Sequence, residues 1–222
     1  MVKTVAEAVA RLVEGDLSLQ DALQRGYANY SAVARMVKGK VEETLKTEVN
    51  LEAIVSSVKR TRMNYKEPWR DVAYVVAGSF ITLRTDVAKI TVEKTKRNLE
   101  AIRTMLIRFV GDFFQILEGI SAITLVFDRK ISDEVVSMFR RVNILDERRD
   151  LAAVILHSKI EIIDAPGCVA AFYNSLSRRH INIEETMSCF TDTIIVVHMK
   201  DVGEAFTALS ELISTAREIS GS

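Results

Sequence analysis

The sequence has few of the residues that build metal centres, disulfide frameworks or catalytic sites. Of its 222 residues only Cys168 and Cys189 are cysteines, and neither lies in a CxxC or zinc-ligand spacing. Three histidines are scattered along the chain without an HExxH arrangement. The glycines of a phosphate loop or of a hydrolase nucleophile turn are also missing. The sequence therefore predicts no metal, no cofactor and no enzymatic activity.

An excess of charge and a long apolar run are missing as well. Lys plus Arg and Asp plus Glu both number 30, so no overall field favours nucleic acid or an anionic membrane. The longest apolar runs, such as "LAAVIL" at 151–156, fall well short of the roughly 20 residues of a membrane span. The amphipathic N-terminus carries acidic residues and does not resemble a signal peptide. We expect a cytoplasmic protein without a membrane partner.

Residues 1–72 have the pattern of a helical domain. Apolar residues recur at helical spacing, and a polar residue that can cap a helix precedes each run. Gly15 and Gly26 are placed to end the first two helices. The predicted N-caps of the four helices are Thr4, Ser18, Ser31 and Asn50.

The segment "SLQDALQRGYANYSAVARMVKGK" at 18–40 has the layout of a helix-turn-helix. Gly26 lies in the turn, and the small Ala32 of the second helix would face back toward the first. Residues 1–72 carry twelve basic and ten acidic side chains, which is little positive charge for a DNA-binding domain. A helical dimerisation module therefore remains an equal alternative. If the segment binds DNA, the contacting residues are expected to be Asn29, Tyr30, Ser31, Arg35 and Lys38, with Lys59, Arg60 and Arg62 nearby.

From residue 73 onward β-branched runs alternate with helical patterns. The order β-α-β-β-α-β at 73–156 begins again at 157–222, which is an internal repeat of topology. "FITLR" (80–84) and "VAKITVEK" (87–94) are predicted as two strands joined by a Thr85-Asp86 turn. "KIEIID" (159–164) is predicted as the first strand of the second unit.

This order predicts an α+β fold, with an all-α N-terminal domain followed by two ferredoxin-like βαββαβ units. The predicted domains are 1–72, 73–156 and 157–222. The second unit lacks an obvious last strand, because the chain ends soon after its second helix. Either that unit has three strands or a strand from elsewhere completes it, and "FITLR" is a candidate donor.

The stretch "IIDAPGCVAAF" at 162–172 combines a strand end with a helix start. Pro166 suits the first turn of a helix, and Gly167 allows a ligand to approach the backbone closely. The free N–H groups of Gly167, Cys168 and Val169 would favour a carboxylate or phosphate. In the alternative interpretation, Asp164 caps the helix and the loop binds only water.

The chain from 158 to 212 resembles an ACT domain. The features that carry the resemblance are the D-x-P-G loop at 164–167, "INI" at 181–183 and the "TDT" turn at 191–193 before a β-branched strand. It is most similar to the regulatory region of aspartate kinases, which carries two ACT units in tandem. Residues 87–156 agree with that region in topology and only weakly in sequence. The resemblance implies that an amino acid or similar molecule binds between paired units and that binding is passed on as a conformational signal.

The resemblance also implies which residues contact the ligand. Asn182 lies where several members of the family bind an amino acid, and Ser188 and Thr191 lie where the kinases line their effector site. The first unit has "KTKRNLE" (94–100) in place of the loop, which implies that it lacks a full site, and His180 replaces a glycine that often precedes "INI". The implied loop contacts are Asp164, Ala165, Pro166, Gly167, Cys168 and Val169.

Together these features predict a non-enzymatic regulatory protein that senses an amino acid or related metabolite. It would be a homodimer or larger assembly formed through ACT units, and a ligand-responsive transcriptional regulator if its helices bind DNA. Two alternatives remain: a detached regulatory subunit that docks on a biosynthetic enzyme, and a structural ACT protein without a ligand.

Overall fold

The chain divides into two units, residues 1–67 and 68–222. The computed structural model describes residues 2–24, 26–62 and 69–221, and only the backbone of residues 17, 24, 62 and 69–71. Among the described helices, none combines the length and the apolar character that a membrane span requires.

The described part of the first unit is helical. Its helices are α1 (Val5–Glu14), α2 (Leu17–Gln24), α3 (Tyr30–Leu45) and α4 (Leu51–Arg62). Their apolar faces meet in one core, as the helical spacing predicted. The fully buried side chains of this core include Val9, Val13, Leu23, Val41, Ile54 and Val58.

Two of the four predicted helix caps are wrong. The Asp16 carboxylate, and not Ser18, accepts a hydrogen bond from the Leu19 N–H at the start of α2, at 3.0 Å. The side chain of Asn29, and not Ser31, caps α3. Both serines lie inside the first helical turn, where the free N–H groups point back toward the preceding residues. The caps Thr4 and Asn50 are confirmed, and Gly26 follows α2 with a φ of +75°.

The second unit is an antiparallel sheet with helices. Six strands lie in the order β2-β3-β1-β4-β6-β5, and every neighbouring pair is antiparallel. This confirms an α+β protein in which a helical region precedes an antiparallel sheet. The elements are α5 (Trp69–Ala77), β1 (Phe80–Glu93), α6 (Lys96–Arg108), β2 (Phe114–Glu118), β3 (Ala122–Asp128), α7 (Ser132–Ser137), β4 (Ile144–His157), α8 (Cys168–Ser177), β5 (Glu185–Cys189), β6 (Asp192–His198) and α9 (Val202–Ser220).

The predicted hairpin turn at Thr85-Asp86 is wrong, because "FITLR" and "VAKITVEK" form the single strand β1. The register with β4 shifts between Arg84 and Val87, and Asp86 has a φ of +54°. Such a shift marks a β-bulge, which bends a strand without ending it. The chain continues in the same direction because β4 runs beside both parts of β1.

The predicted strand "KIEIID" is also wrong, because Ile160–Ile163 form a 3-10 turn. The first strand of the second repeat is instead the later part of β4. Residues Leu151–His157 pair with β6, whereas the beginning of β4 pairs only with β1. Ile160 and Ile163 are about half exposed, at 53% and 55%.

"FITLR" supplies the strand that the second repeat lacked. Phe80 pairs with His157 and Arg84 pairs with Ala153, so this segment lies against the later part of β4. The candidate donor is therefore confirmed. The two long strands β1 and β4 each belong to both halves of the sheet.

Alternate residues of the strands form separate cores. One set packs against helices, with α5, α8 and α9 over β4 and β6, and α6 and α7 over β1, β2 and β3. The other set forms a smaller cluster that contains no helical residue, comprising Val87, Val126, Leu151, Ala153, Ile194 and Val196. The period-2 alternation of strand side chains explains this division.

An ion pair between the exposed Arg84 and the buried Asp128 holds the bulge of β1 to the end of β3. Arg84 donates two hydrogen bonds of 2.7 Å to the two carboxylate oxygens of Asp128, and the Phe113 N–H donates a third at 3.3 Å. Burial alone would raise the pKa of Asp128. The hydrogen bonds from Arg84 and Phe113 outweigh burial and lower this pKa below its ordinary value.

The start of α8 depends on a glycine. Gly167 is the N-cap residue with a φ of +103°, a region that residues with a Cβ rarely occupy. A Cβ on Gly167 would also lie 3.3 Å from Cγ2 of Val72, a buried residue of α5. Both constraints favour glycine at this position.

The variant Asp128→Asn is expected to lower the free energy of unfolding at pH 7 by about 1.5–3 kcal/mol, since it removes hydrogen bonds to a charged group. Because folding lowers the pKa of Asp128, its charged hydrogen bonds stabilise the protein fully when the pH is above the unfolded pKa of about 3.9. This stabilisation is lost as the pH falls through the pKa of Asp128 in the folded protein. Urea unfolding should therefore show the two proteins converging in acid. Asp133→Asn, at a side chain that is 92% exposed, is the control and should change stability by less than about 0.5 kcal/mol.

The variant Gly167→Ala is expected to lower the free energy of unfolding by about 1–2 kcal/mol, because alanine is strained at this φ. Gly203→Ala is the matched control, since Gly203 lies in α9 and a Cβ there would meet nothing within 4 Å. It should raise stability by about 0.5–1 kcal/mol. Equal effects in urea unfolding would contradict the assigned backbone conformation.

Candidate functional site

The loop before α8 leaves the N-terminus of the helix open. Gly167 provides no side chain to cap the helix, and its carbonyl accepts the Ala171 N–H at 2.9 Å. Among the described hydrogen bonds, none joins the Asp164 carboxylate to the first turn of α8. The interpretation of Asp164 as the cap is therefore wrong. The N–H groups of the first helical turn therefore have neither an intrahelical acceptor nor a side-chain cap, and such groups suit an anionic group.

The loop is accessible, whereas its cysteine thiol is not. Asp164, Pro166 and Gly167 are exposed, and Ala165 and Val169 are half-buried. Cys168 is 1% exposed, and burial raises the pKa of its thiol. The Cys168 side chain thus belongs to the core beneath the loop, and only its backbone N–H can take part in binding.

α6 is the corresponding helix in the first half of the sheet, and side chains near its N-terminus cap it. The Thr95 hydroxyl accepts a hydrogen bond from the Asn98 N–H at 3.2 Å. The Asn98 amide in turn donates to the Glu93 carbonyl at 2.7 Å and is buried. Thr95 of the segment "KTKRNLE" therefore caps the N-terminus of α6, whereas the loop before α8 provides no side-chain cap.

Ser188 and Thr191 lie at the same end of the sheet as the loop. Ser188 is near the end of β5, and Thr191 follows in the turn to β6. The Thr191 carbonyl accepts the Ser158 N–H at 3.0 Å, where β4 leaves the sheet toward the loop. The structure thus brings these two predicted residues to the end of the sheet from which the loop starts.

Asn182 lies at the opposite end. It precedes β5, whose first residue, Glu185, pairs with Val196, whereas Cys189 at the other end pairs with Asp192. α8 has 10 residues and spans about 15 Å between these ends. Within one chain, Asn182 and the loop before α8 therefore do not form a single pocket.

Asn182 instead contacts a cluster that the sequence interpretation missed. Its amide donates to Glu184 Oε1 at 3.1 Å, and Glu184 Oε2 is 3.5 Å from Lys89 Nζ. Lys89 is only 7% exposed, and its Nζ is also 3.5 Å from carboxylate oxygens of Glu185 and Asp146. A signal existed in "VAKITVE", where a lysine interrupts a run of residues with strand propensity.

The residues predicted to bind DNA are partly engaged within the first unit. Asn29 uses its side-chain oxygen to cap α3. Lys59 Nζ lies 5.9 Å above the centre of the Tyr30 ring, and Lys38 pairs with Glu42 at 3.5 Å. Ser31, Arg35 and Arg60 are exposed, and the Arg62 side chain lies outside the described residues.

One argument for a helix-turn-helix is wrong. Ala32 is exposed and does not face back toward the first helix, whereas Ala34 is fully buried. The buried face of α3 consists of Val33, Ala34, Val37 and Val41. The helices are confirmed, but a helix-turn-helix remains a prediction.

Metal ligands are not grouped in the part of the chain that the structure describes. In these residues, no three His, Cys, Asp or Glu side chains lie close enough to hold a metal ion.

Comparison with known proteins gives similarity at the level of structure. No protein-family model and no curated protein matches the sequence. The ligand-free regulatory subunit of aspartate kinase from Thermus thermophilus matches with a TM-score of 0.51 and 15% identity, over 60% of this chain and 95% of that chain. The regulatory subunit from Thermus flavus matches with a TM-score of 0.51 and 14% identity, over 60% and 95%.

Aspartate kinase from Synechocystis matches with a TM-score of 0.52 and 16% identity. The match covers 74% of this chain and only 31% of the kinase. Identities this low show the fold alone. The chain therefore has an ACT-type fold similar to that of aspartate kinase regulatory subunits.

Proposed function

We propose that this chain is a non-catalytic regulatory protein that binds an amino acid or related metabolite at the loop of residues 164–169. The observation that carries the proposal is the exposed N-terminus of α8, which begins at Gly167 without a side-chain cap. Three backbone N–H groups with a favourable helix dipole suit a carboxylate, which every amino acid carries. The similarity in fold to aspartate kinase regulatory subunits supports this proposal.

The proposed architecture consists of two ferredoxin-like, ACT-like units that share their long strands. The later part of β1, α6, β2, β3, α7 and the beginning of β4 form the first unit. The later part of β4, α8, β5, β6, α9 and the beginning of β1 form the second. The strand pairing supports this division, because each half has four strands in the same order.

The proposed ligand site extends across two units. Ser188 and Thr191 would complete the site near the loop, whereas Asn182 would serve the site of another unit, because it lies at the far end of α8. A homodimer or larger assembly follows from this arrangement. The ligand would favour one arrangement of units over another, with a typical coupling of about 1–3 kcal/mol.

We expect at least one amino acid to raise the unfolding temperature of the wild type, because a ligand that binds only the folded state stabilises it. The test is a thermal-shift screen of the individual protein amino acids at millimolar concentration. Asp164→Ala and Val169→Pro should abolish the shift, the latter by removing one N–H in a helical turn that tolerates proline. The matched control is Gly203→Pro, in the first turn of α9, which should retain the shift.

The screen also distinguishes the structural alternative. If no amino acid changes the unfolding temperature of the wild type, the sensing proposal is wrong and a structural role remains. If a shift persists in both loop variants, the protein binds an amino acid at another site. Circular dichroism of the variants separates a lost ligand site from a lost fold.

The helical unit is proposed to carry the regulatory output, either by binding DNA or by docking on a biosynthetic enzyme. The exposure of Arg60 on α4 favours DNA, since an exposed guanidinium group can bind a phosphate oxygen. Arg35 on α3 is exposed as well. These residues fit a phosphate backbone better than they fit an apolar surface.

If the unit binds DNA, affinity for a duplex of random sequence should fall steeply with salt, because phosphate contacts release counterions. Fluorescence anisotropy measures this. Arg35→Ala should weaken binding and reduce the salt slope by about one, whereas Arg11→Ala, an exposed residue of α1, is the control. Absence of binding at low salt would contradict the DNA role and leave the docking role.

A further inference from the structure

The helix α5 lies along the segment that connects β4 to α8. This segment, residues 158–167, leads into the proposed ligand-binding residues 164–169, which we call the ligand loop. α5 is the first element of the second unit, which begins at residue 68. The buried residues of α5 share one core with α8 and α9, and Ile162 and Ala165 of the segment pack against this core. α5 and the segment therefore have a common support.

The beginning of the segment contacts α5 and the residues that follow it. The hydroxyl groups of Ser79 and Ser158 lie 3.0 Å apart, and Ser79 is fully buried. Lys159 Nζ lies 4.0 Å from the centre of the Tyr74 ring, which is a cation–π contact. A Cβ on Gly78 would lie 2.1 Å from Cε of Lys159, so the lysine stem uses the space that this glycine leaves. The segment is thus attached to α5 where it leaves β4.

The end of the segment contacts α5 nearer to its N-terminus. Cγ2 of Val72, a residue that is 4% exposed, lies 3.3 Å from the position that a Cβ on Gly167 would occupy. Gly167 is the N-cap of α8 and one of the proposed ligand-binding residues. Because a packed core tolerates few gaps, a movement of the loop at Gly167 changes its packing against α5.

α9 holds the C-terminal end of α5. Arg217 donates hydrogen bonds to the carbonyl oxygens of Ala77 and Ser79, at 3.0 and 3.2 Å. Ala77 is the last residue of α5, and Ser79 follows two residues later. α5 is thus fixed to α9 at one end and contacts the ligand loop toward the other.

The contact between Lys159 and Tyr74 lies outside the core. Tyr74 is 50% exposed, although its neighbours Ala73 and Val75 are buried. Lys159 is half-buried. Substitution of either side chain therefore avoids the loss of stability that a cavity in the core causes.

We propose that Lys159 and Tyr74 are positioning residues that couple the ligand loop to α5. A ligand that fixes the loop also restrains α5, which follows the helical unit in the chain. The inference rests on the proposed function, because it concerns the regulation of the same site. It requires the free and the bound loop to differ in their contacts with α5, since a ligand shifts an equilibrium only by its differential affinity.

Hydrogen–deuterium exchange measured by mass spectrometry tests this coupling. The wild type is compared with and without a mixture of the protein amino acids, each at millimolar concentration. The mixture should slow exchange in the ligand loop and in α5, because local opening of both is restrained. Exchange in α6, which belongs to the other half of the sheet, should stay unchanged.

Lys159→Met removes the charge and retains an apolar stem beside Gly78. Without amino acids, α5 and the ligand loop of this variant should exchange about two- to fivefold faster, as the loss of an exposed cation–π contact predicts. With the mixture, its ligand loop should still respond, whereas the response of α5 should be smaller than in the wild type. Tyr74→Leu should have the same effects, and the double variant should equal either single variant, because both changes remove one interaction.

Tyr74→Phe is the matched control, because phenylalanine keeps the ring that the lysine contacts. It should behave like the wild type in each of these measurements. A purely structural role predicts a different result for Lys159→Met, namely a lower free energy of unfolding in urea with an unchanged response of α5 to amino acids. That result would overturn the proposal.

The outcomes separate this inference from the sensing proposal. A ligand loop that responds to the mixture without any response of α5 would contradict the coupling alone. If the mixture slows exchange nowhere in the wild type, the sensing proposal is wrong, and the comparison without amino acids decides the coupling. In that comparison, a ligand loop that exchanges at the wild-type rate in Tyr74→Leu would contradict the coupling.

Discussion

The antiparallel pairing of β1 with β4 is the interaction on which the rest of the second unit depends. Each strand has 14 residues, and each takes part in both halves of the sheet. Register shifts at the centre accommodate a bend without separating the strands. As a result, neither half has its complete set of strands without the other. The two halves therefore share one continuous ladder between β1 and β4.

Ionic contacts support this pairing near the bend. Arg84 and Asp128 join the bulge of β1 to β3, and Lys89 joins β1 to carboxylates of β4 and of the segment entering β5. Leaving one member of such a pair buried without its partner is costly. The contact between Lys89 and Asp146 opposes a slip of β1 past β4. Lys89 also connects the bend to Asn182 through Glu184.

The two halves illustrate how a few residues change the use of one topology. In the first half, the side chains of Thr95 and Asn98 form hydrogen bonds with the backbone at the start of α6. In the second, Gly167 begins α8 and leaves the backbone N–H groups open. Both starts are stable, because helix N–H groups are satisfied either by side chains or by solvent and ligands. Of these two helix starts, only that of α8 has no side-chain cap.

Much of the local structure was determined by the sequence alone. Helical spacing located α1–α4, β-branched runs located β3 and β6, and the D-x-P-G pattern located the start of α8. These features depend on residues close together in the chain, whose periodicity and capping preferences act locally. The order of elements also indicated that the Phe80–Arg84 segment could complete the second repeat.

Tertiary structure alone decided which strands are neighbours and which predicted site residues come together. "KIEIID" has the composition of a strand, but the later part of β4 already occupies the corresponding place in the sheet. Thr85-Asp86 has the composition of a turn. Because β1 pairs with β4 both before and after these two residues, the strand continues through them. Asn182 and the loop before α8 are close in sequence and separated by the length of a helix. Local patterns encode conformation, whereas the availability of a neighbouring edge depends on residues far away in the chain.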